Sequence, residues 1–183
     1  MGIFTKNRTS NIGLDVSSTA VKLLEFAKEL VDGVPRYRIL NYAVVPLPTN
    51  AIVEKSVADV EAVMEAIGSA LEKTKLRSKH AVVAVAGSSV INKVISLPAS
   101  LTRAELDAQI HNAVEQHIPY PISEVRFDYD ALGPSEHSPE LMDVLIVASR
   151  KETVDSLMQA VEGAFLSLVI CHMLDSCLRT NTC

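Results

Sequence analysis

Near the start of the chain, an apolar segment ends in a carboxylate and is followed by a turn of hydroxyl residues. Residues 11–26 read NIGLDVSSTAVKLLEF. Backbone N–H groups and hydroxyls in such a turn can hold an anion, and a carboxylate can hold Mg²⁺. The pattern predicts a nucleoside triphosphate site, with Mg²⁺ near the aspartate and phosphates near the other side chains. The candidate residues are Asp15, Ser17, Ser18, Thr19 and Lys22.

The same turn also fits a plain hairpin, because Asp, Ser and Thr are favoured turn formers. It has neither the glycine spacing nor the Gly-Lys pair of a P-loop. The chain also has no G-x-S-x-G motif of the kind that presents a nucleophilic serine. We therefore expect no independent catalytic constellation and predict that this chain is not an enzyme.

Composition narrows the class of protein. The chain has 183 residues, of which 48% are hydrophobic and 21% charged, with a net charge of -5. Nucleic-acid binding needs clustered Lys and Arg, and no segment supplies them. No apolar run reaches the length of about 18 residues that a membrane span needs. We expect a cytoplasmic domain with an aliphatic core and no nucleic-acid partner.

The three cysteines lie together at the end of the chain, at Cys171, Cys177 and Cys183. A body of 170 residues without cysteine is typical of a reducing compartment. Spacings of six residues match zinc ligands poorly, since paired ligands normally stand two to four residues apart. The clustering indicates an atypical tail rather than a metal site.

The elements that position the turn are predicted by periodicity. Residues 11–46 alternate as three consecutive strands, and apolar residues at a helical period predict a helix over residues 59–73. The run HAVVAVAG, which ends at Gly87, predicts a buried strand at residues 81–86. Together these segments indicate an α/β domain.

A smaller lobe follows, with a strand, a helix and two further strands. Thr102 and Glu105 form a capping box at the start of its helix, which ends before Pro119. Ser149 and Glu152 predict a second capping box, which would open a helix of the main domain. The lobe is therefore predicted as an insertion into the main α/β unit.

These segments together resemble the PilM family of type IV pilus assembly proteins. The resemblance covers about residues 9–164 and rests on the runs IGLDVSSTAVKLLEF, HIPYPISEVRFDYDAL and VLIVASRKETVDSLMQAVEGA. That family is actin-like and similar to the cell-division protein FtsA, with a ribonuclease H-like fold. The resemblance implies a subdomain 1A at residues 1–87, an FtsA-type subdomain 1C at residues 88–147, and a return helix of 1A at residues 148–165.

The resemblance also implies ligands and partners. Family members bind ATP with Mg²⁺, and the first phosphate loop maps onto Asp15, Ser17, Ser18, Thr19 and Lys22. They bind the N-terminal cytoplasmic tail of PilN, an inner-membrane protein, in a groove between 1A and 1C. The implied role is a scaffold at the cytoplasmic face of the inner membrane that supports pilus assembly, twitching motility and DNA uptake. A nucleotide-dependent ATPase or filament former of the FtsA class is the alternative.

The resemblance weakens near Phe165. Residues 166–183 read as an atypical tail, for which a shifted reading frame or a truncated product is the favoured interpretation and a packed strand or helix the other. The second large actin-like domain is expected to be absent. Because an actin-type site clamps its nucleotide from two lobes, ATP binding by this chain is expected to be weak. Self-association through exposed apolar surface is a further expectation.

Overall fold

A computed structural model of the protein describes residues 11–31, 33–74, 76, 80–85, 89–136, 138–164 and 166–173. The described chain forms two compact units. The first is built by residues up to 84 together with residues 156–171, and the second by residues 85–155 with the following end of the chain. The subdomain boundaries at residues 87 and 147 stay predictions. Cys177 and Cys183 lie outside the described residues.

The first unit is organised by a five-stranded sheet with the order β10-β6-β1-β2-β3. Strands β1, β2 and β3 form the predicted antiparallel meander, and β6 runs parallel to β1. The last strand lies in the segment that the sequence marked as an atypical tail. The five strands are β1 (Asn11–Val16), β2 (Ala20–Val31), β3 (Val34–Pro46), β6 (His80–Val85) and β10 (Ser167–Met173).

One face of the meander carries the core of the first unit. Buried side chains alternate with exposed ones along β2, where Val21, Leu23 and Ala27 point inward. Helix α1 (Val60–Thr74) packs against β2 and β3, as its apolar period predicts. Two short strands, β4 (Ile52–Val53) and β5 (Ser56–Val57), precede it as a small hairpin. The α/β class is confirmed.

Helix α3 (Lys151–Gly163) approaches α1 closely in the first unit. A Cβ atom on Gly163 would lie 2.6 Å from Sδ of Met64, which is closer than van der Waals contact allows. A larger residue at position 163 would therefore require the flexible Met64 side chain to move. None of the described helices is both long and apolar enough to cross a membrane.

The second unit is a three-stranded antiparallel sheet with a helix on one face. Its strands are β7 (Val90–Pro98), β8 (Val125–Ser135) and β9 (Ser138–Arg150), in the order β7-β9-β8. Helix α2 (Arg103–His117) buries Ile110 and Val114 against Val144 and Ile146 of the central strand. A short 3-10 helix (Ile122–Glu124) joins α2 to β8.

The two predicted capping boxes have different outcomes. The box at Thr102 and Glu105 is confirmed, with both reciprocal hydrogen bonds present at the start of α2. The box at Ser149 is wrong, because Ser149 lies within β9 opposite Val90 and its hydroxyl donates to the carbonyl of Ser89 at 2.8 Å. The Ser149 side chain, which the sequence assigned to a helix cap, therefore bonds to the residue before β7.

Candidate functional site

The predicted phosphate turn joins β1 to β2, and Ser17 closes it. The Ser17 N–H and hydroxyl both donate to the carbonyl of Ala20, at 3.0 Å and 2.8 Å. The Ser17 oxygen also accepts from the Ala20 N–H at 3.3 Å. This side chain therefore stabilises the turn itself, as an ST turn does.

The two ends of the turn are joined by an ion pair. Asp15 and Lys22 stand opposite each other in the antiparallel register, and Nζ of Lys22 lies 3.0 Å from Oδ2 of Asp15. Their side chains are 60% and 54% exposed. Both charged groups are therefore in contact with water and accessible to a ligand.

The remaining two candidates, Ser18 and Thr19, are exposed at the tip of the turn. The Thr19 carbonyl accepts the N–H of Leu47 at 2.9 Å, which ties the turn to the end of β3. The hydroxyls of Ser18 and Thr19 therefore belong to a turn whose backbone is fixed by hydrogen bonds to Ala20 and Leu47. The structure brings all five predicted residues together within one turn.

The donor set fits a phosphate with its metal only in part. A carboxylate suits the hard Mg²⁺ ion, and hydroxyls with an ammonium suit phosphate oxygens. All of these groups come from one turn, and Lys22 already occupies Oδ2 of Asp15. Among the residues the structure describes, no group of three or more His, Cys, Asp or Glu side chains is placed to hold a metal ion. The role of the turn in binding ATP and Mg²⁺ stays a prediction.

Apart from the turn, a concavity lies within the second unit, where α2 ends and α3 begins. It has a volume of about 440 Å³ and is lined by Tyr120, Ser123, Glu124, Arg150, Lys151, Glu152 and Asp155. The Arg150 guanidinium lies 4.4 Å from the centre of the Tyr120 ring, in cation–π contact. Arg126 donates to Asp155 from two nitrogens, at 2.9 Å and 3.0 Å. These contacts tie the start of α3 to β8 and to the segment after α2.

The sequence did not identify this concavity, because its residues come from two segments, 120–124 and 150–155, that lie far apart along the chain. The only local signal is the run HIPYP, which contains Tyr120. A charged, polar lining differs from the mostly apolar lining of small-molecule pockets. Its contacts fit a structural junction better than a small-molecule site.

A partly buried polar contact joins α2 to the sheet in the same unit. The Tyr129 hydroxyl donates to the carboxylate of Asp107, which raises the pKa of Tyr129 above its usual range. Across the helix surface, the His111 ring meets Phe127 edge-on at 5.1 Å between ring centres. These contacts hold α2 against β8.

Known proteins share this fold. The chain is similar to a protein in the solved structure of a PilM-PilN type IV pilus biogenesis complex, with 27% identity and a TM-score of 0.78. The match covers 91% of this chain and 48% of that one, so the chain spans about half the length of its relative.

One more distant match shares the fold alone. The cytoplasmic domain of EpsL, an inner-membrane component of the type II secretion system of Vibrio cholerae, matches with 14% identity and a TM-score of 0.53, over 89% of this chain and 57% of that one. A Bacteroides thetaiotaomicron protein described as having an actin-like ATPase fold reaches a TM-score of only 0.38 at 10% identity, over 93% and 55%, and carries no weight.

The sequence itself matches the family model described as type IV pilus assembly protein PilM over residues 13–176. This segment extends beyond Phe165, where the resemblance was expected to end, and it takes in the whole of β10. It includes the candidate turn, both compact units and most of the described chain. The chain therefore belongs to the PilM family of type IV pilus assembly proteins.

Proposed function

We propose that this chain is a non-enzymatic scaffold of the type IV pilus machinery that binds the N-terminal cytoplasmic tail of PilN. The observation that carries the proposal is the likeness, over 91% of the chain, to a protein solved in a complex with PilN. At 27% identity the likeness extends beyond a shared fold class.

Physical features of the two units support a binding role. Each unit has its own buried apolar side chains, including Ile67 of α1 in the first and Ile110 of α2 in the second. A surface that is already ordered loses little conformational entropy when a short peptide binds. Most of the entropy loss on binding is then that of the peptide. We therefore expect micromolar affinity for an apolar tail.

Calorimetry with a synthetic PilN tail peptide tests this role. We expect a dissociation constant in the range of about 1–100 µM without added nucleotide. A peptide of the same composition in scrambled order is the control, because it keeps the net hydrophobicity and loses the sequence. The scaffold proposal fails if the native peptide gives no heat, or if both peptides bind equally.

The alternative, an actin-like ATPase or filament former, makes the opposite prediction for the turn. In the scaffold, Asp15→Asn should leave peptide affinity unchanged, because the turn is not needed for the peptide. In the ATPase, peptide binding should depend on Mg-ATP and should fall with Asp15→Asn. Running both titrations with and without Mg-ATP separates the two functions.

For the nucleotide, the proposal is weak binding without useful hydrolysis. The turn offers one carboxylate, two exposed hydroxyls and one ammonium, all from a single turn of the chain. Stabilising a phosphoryl transition state needs charge placed around the transferred group. We therefore expect millimolar affinity for Mg-ATP and turnover no faster than that of a denatured control.

In the cell, the proposed location is the cytoplasmic face of the inner membrane, where PilN would hold the chain. The proposed roles there are pilus assembly, twitching motility and DNA uptake. A strain in which the PilN tail is replaced by the scrambled sequence should lose recruitment of the chain to the membrane. Unchanged membrane recruitment in that strain would contradict the proposal.

A further inference from the structure

The far end of the β2–β3 hairpin extends past the strand beside it. Within the described residues, β1 pairs with β2 no further than Phe26, which stands opposite Asn11. Beyond that point β2 pairs with β3, as far as the last pair of Val31 with Val34. We call residues 28–37 the hairpin arm. Both faces of this arm are open to water over most of its length.

The tip of the hairpin arm carries exposed apolar side chains on both faces. Alternation along β2 places Leu30 on the outer face, and it places Val31 on the inner face, the side on which Ala27 is buried. Leu30 is 69% exposed, and the cross-strand pair of Val31 with Val34 is 37% and 58% exposed. A protein partner that covers one face of a hairpin would leave the other face apolar and wet. A medium that surrounds the tip covers both.

A cation stands behind the tip on each face. Lys28 lies on the outer face opposite Tyr37, with Nζ 5.9 Å from the centre of the ring, and exposed Arg36 lies on the inner face. Lys28 and Tyr37 are three residues from the last pair of the hairpin, which is about 10 Å. Apolar segments that lie in a membrane surface reach a depth of about 5–10 Å. Tyrosine and long cationic side chains are favoured at the boundary between lipid and water.

The charge of the arm is opposite in sign to that of the whole chain. Glu29 is already paired with Arg38, at 3.1 Å. The other charged residues of this segment are Lys28, Arg36 and Asp32, so the arm is positive by one in a chain of net charge -5. Asp32 itself lies outside the described residues. Its carboxylate opposes contact with an anionic surface, and this gives the test a variant that should bind more tightly.

We propose that the hairpin arm binds an anionic lipid membrane by inserting its tip into the surface. Lys28 and Arg36 then lie at the level of the lipid phosphates, and Tyr37 lies at the boundary of the apolar layer. With three large apolar side chains and one net positive charge, the contact is weak and reversible. This binding is separate from that of PilN, because the PilN peptide titration contains no lipid and the vesicles described next contain no PilN. Each proposal can therefore fail without the other.

Co-sedimentation of the full chain with lipid vesicles tests the proposal. One set of vesicles is phosphatidylcholine alone, and the other is an equal mixture of phosphatidylcholine and anionic phosphatidylglycerol. We expect half-maximal binding to the mixed vesicles at roughly 0.1–1 mM accessible lipid. Binding to the neutral vesicles should be at least about fivefold weaker, and about 0.5 M NaCl should remove this difference.

Two substitutions on opposite faces of the tip distinguish insertion from contact through one face. Leu30→Ser and Val34→Ser should each weaken binding to the mixed vesicles at least about fivefold, because each removes apolar area that enters the lipid. Val94→Ser is the matched control, since Val94 is 43% exposed on β7 of the other sheet, and it should change binding less than about twofold. Far-UV circular dichroism checks that each variant folds.

Asp32→Asn tests the charge of the tip without adding apolar area. Asparagine before glycine is as suitable for a two-residue hairpin turn as aspartate is. The substitution should strengthen binding to the mixed vesicles about fivefold and leave binding to the neutral ones unchanged. The proposal is overturned if the unmodified chain does not bind the mixed vesicles, if it binds both kinds equally, or if only one of Leu30→Ser and Val34→Ser weakens binding.

Discussion

Replacing Asp15 by Asn and Lys22 by Met, singly and together, measures what their ion pair contributes to folding. The two charged atoms lie 3.0 Å apart, which corresponds to about 1.4 kcal/mol of attraction in water. Both side chains are more than half exposed, so lost side-chain entropy and salt reduce this figure. We expect a coupling energy of about 0.2–1 kcal/mol from the double-mutant cycle.

Urea unfolding at about 0.02 M and about 0.5 M NaCl provides the measurement. The coupling energy should fall at the higher salt concentration, because exposed charges are screened. Arg38 and Glu29 offer a matched control on the same hairpin, since their charged atoms lie 3.1 Å apart and no candidate ligand site includes them. A coupling of more than about 2 kcal/mol, unchanged by salt, would refute the view that the Asp15 pair is a solvated one.

The same variants test the nucleotide site. Because the Asp15–Lys22 pair costs little to open, a magnesium–phosphate group can compete for both partners. Asp15→Asn should therefore weaken the binding of a fluorescent ATP analogue with Mg²⁺ at least about tenfold, a loss of about 1.4 kcal/mol. Glu29→Gln should leave that affinity unchanged. Equal affinity in the unmodified and Asp15→Asn chains would exclude a metal role for Asp15.

Two further predictions concern the second unit. Ile110 is fully buried, so Ile110→Ala should lower the free energy of unfolding by about 2–5 kcal/mol, with hydrogen exchange showing the largest loss of protection within residues 85–155. At the start of α2, the backbone N–H and then the hydroxyl of Thr102 lower the pKa of Glu105. Because the folded pKa is the lower one, this stabilisation is complete above about pH 4.3 and is lost as pH falls through the folded pKa. Thr102→Ala keeps the backbone donor, so an NMR titration should show a pKa that rises only part of the way.

Each of these predictions has a control in the chain. Ile67→Ala makes the same change at a fully buried position of α1, so its loss of protection should fall in the first unit. Similar exchange patterns for the two isoleucine variants would contradict separate cores. For the capping box, Glu105→Gln should remove the part of the pH dependence of the unfolding free energy that Glu105 contributes. A Glu105 pKa at its ordinary value in the unmodified chain would contradict the bonding to Thr102.

Much of the local structure was predictable, because the deciding contacts are close in sequence. Thr102 and Glu105 are three residues apart, and their reciprocal bonds form as the sequence predicts. The same spacing failed at Ser149, because the pairing of β9 with a distant strand decides where that side chain lies. Alternation along β2 and the helical period of α1 likewise reflect which side each residue faces within its own element. The family could also be identified from the sequence, since its motifs are contiguous runs.

The candidate turn was predicted in its members but not in its contacts. The sequence placed Asp15, Ser17 and Lys22 near one another, and the structure agrees. It did not show that the Ser17 hydroxyl is used by Ala20, or that Asp15 already has a cationic partner. Both depend on the register of β1 against β2, which residue types at the turn do not specify.

Sequence alone therefore determined the α/β class, the family and the five residues of the turn. It also determined the start of α2, which depends on two residues three positions apart. Tertiary structure decided what lies far apart along the chain: the pairing of Ser149 with Ser89, the joining of Tyr120 to Arg150, and the apolar outer side of the hairpin. The physical reason is that a residue type fixes what a side chain can bind, whereas only strand register and packing fix which partner reaches it and which apolar face stays open to water.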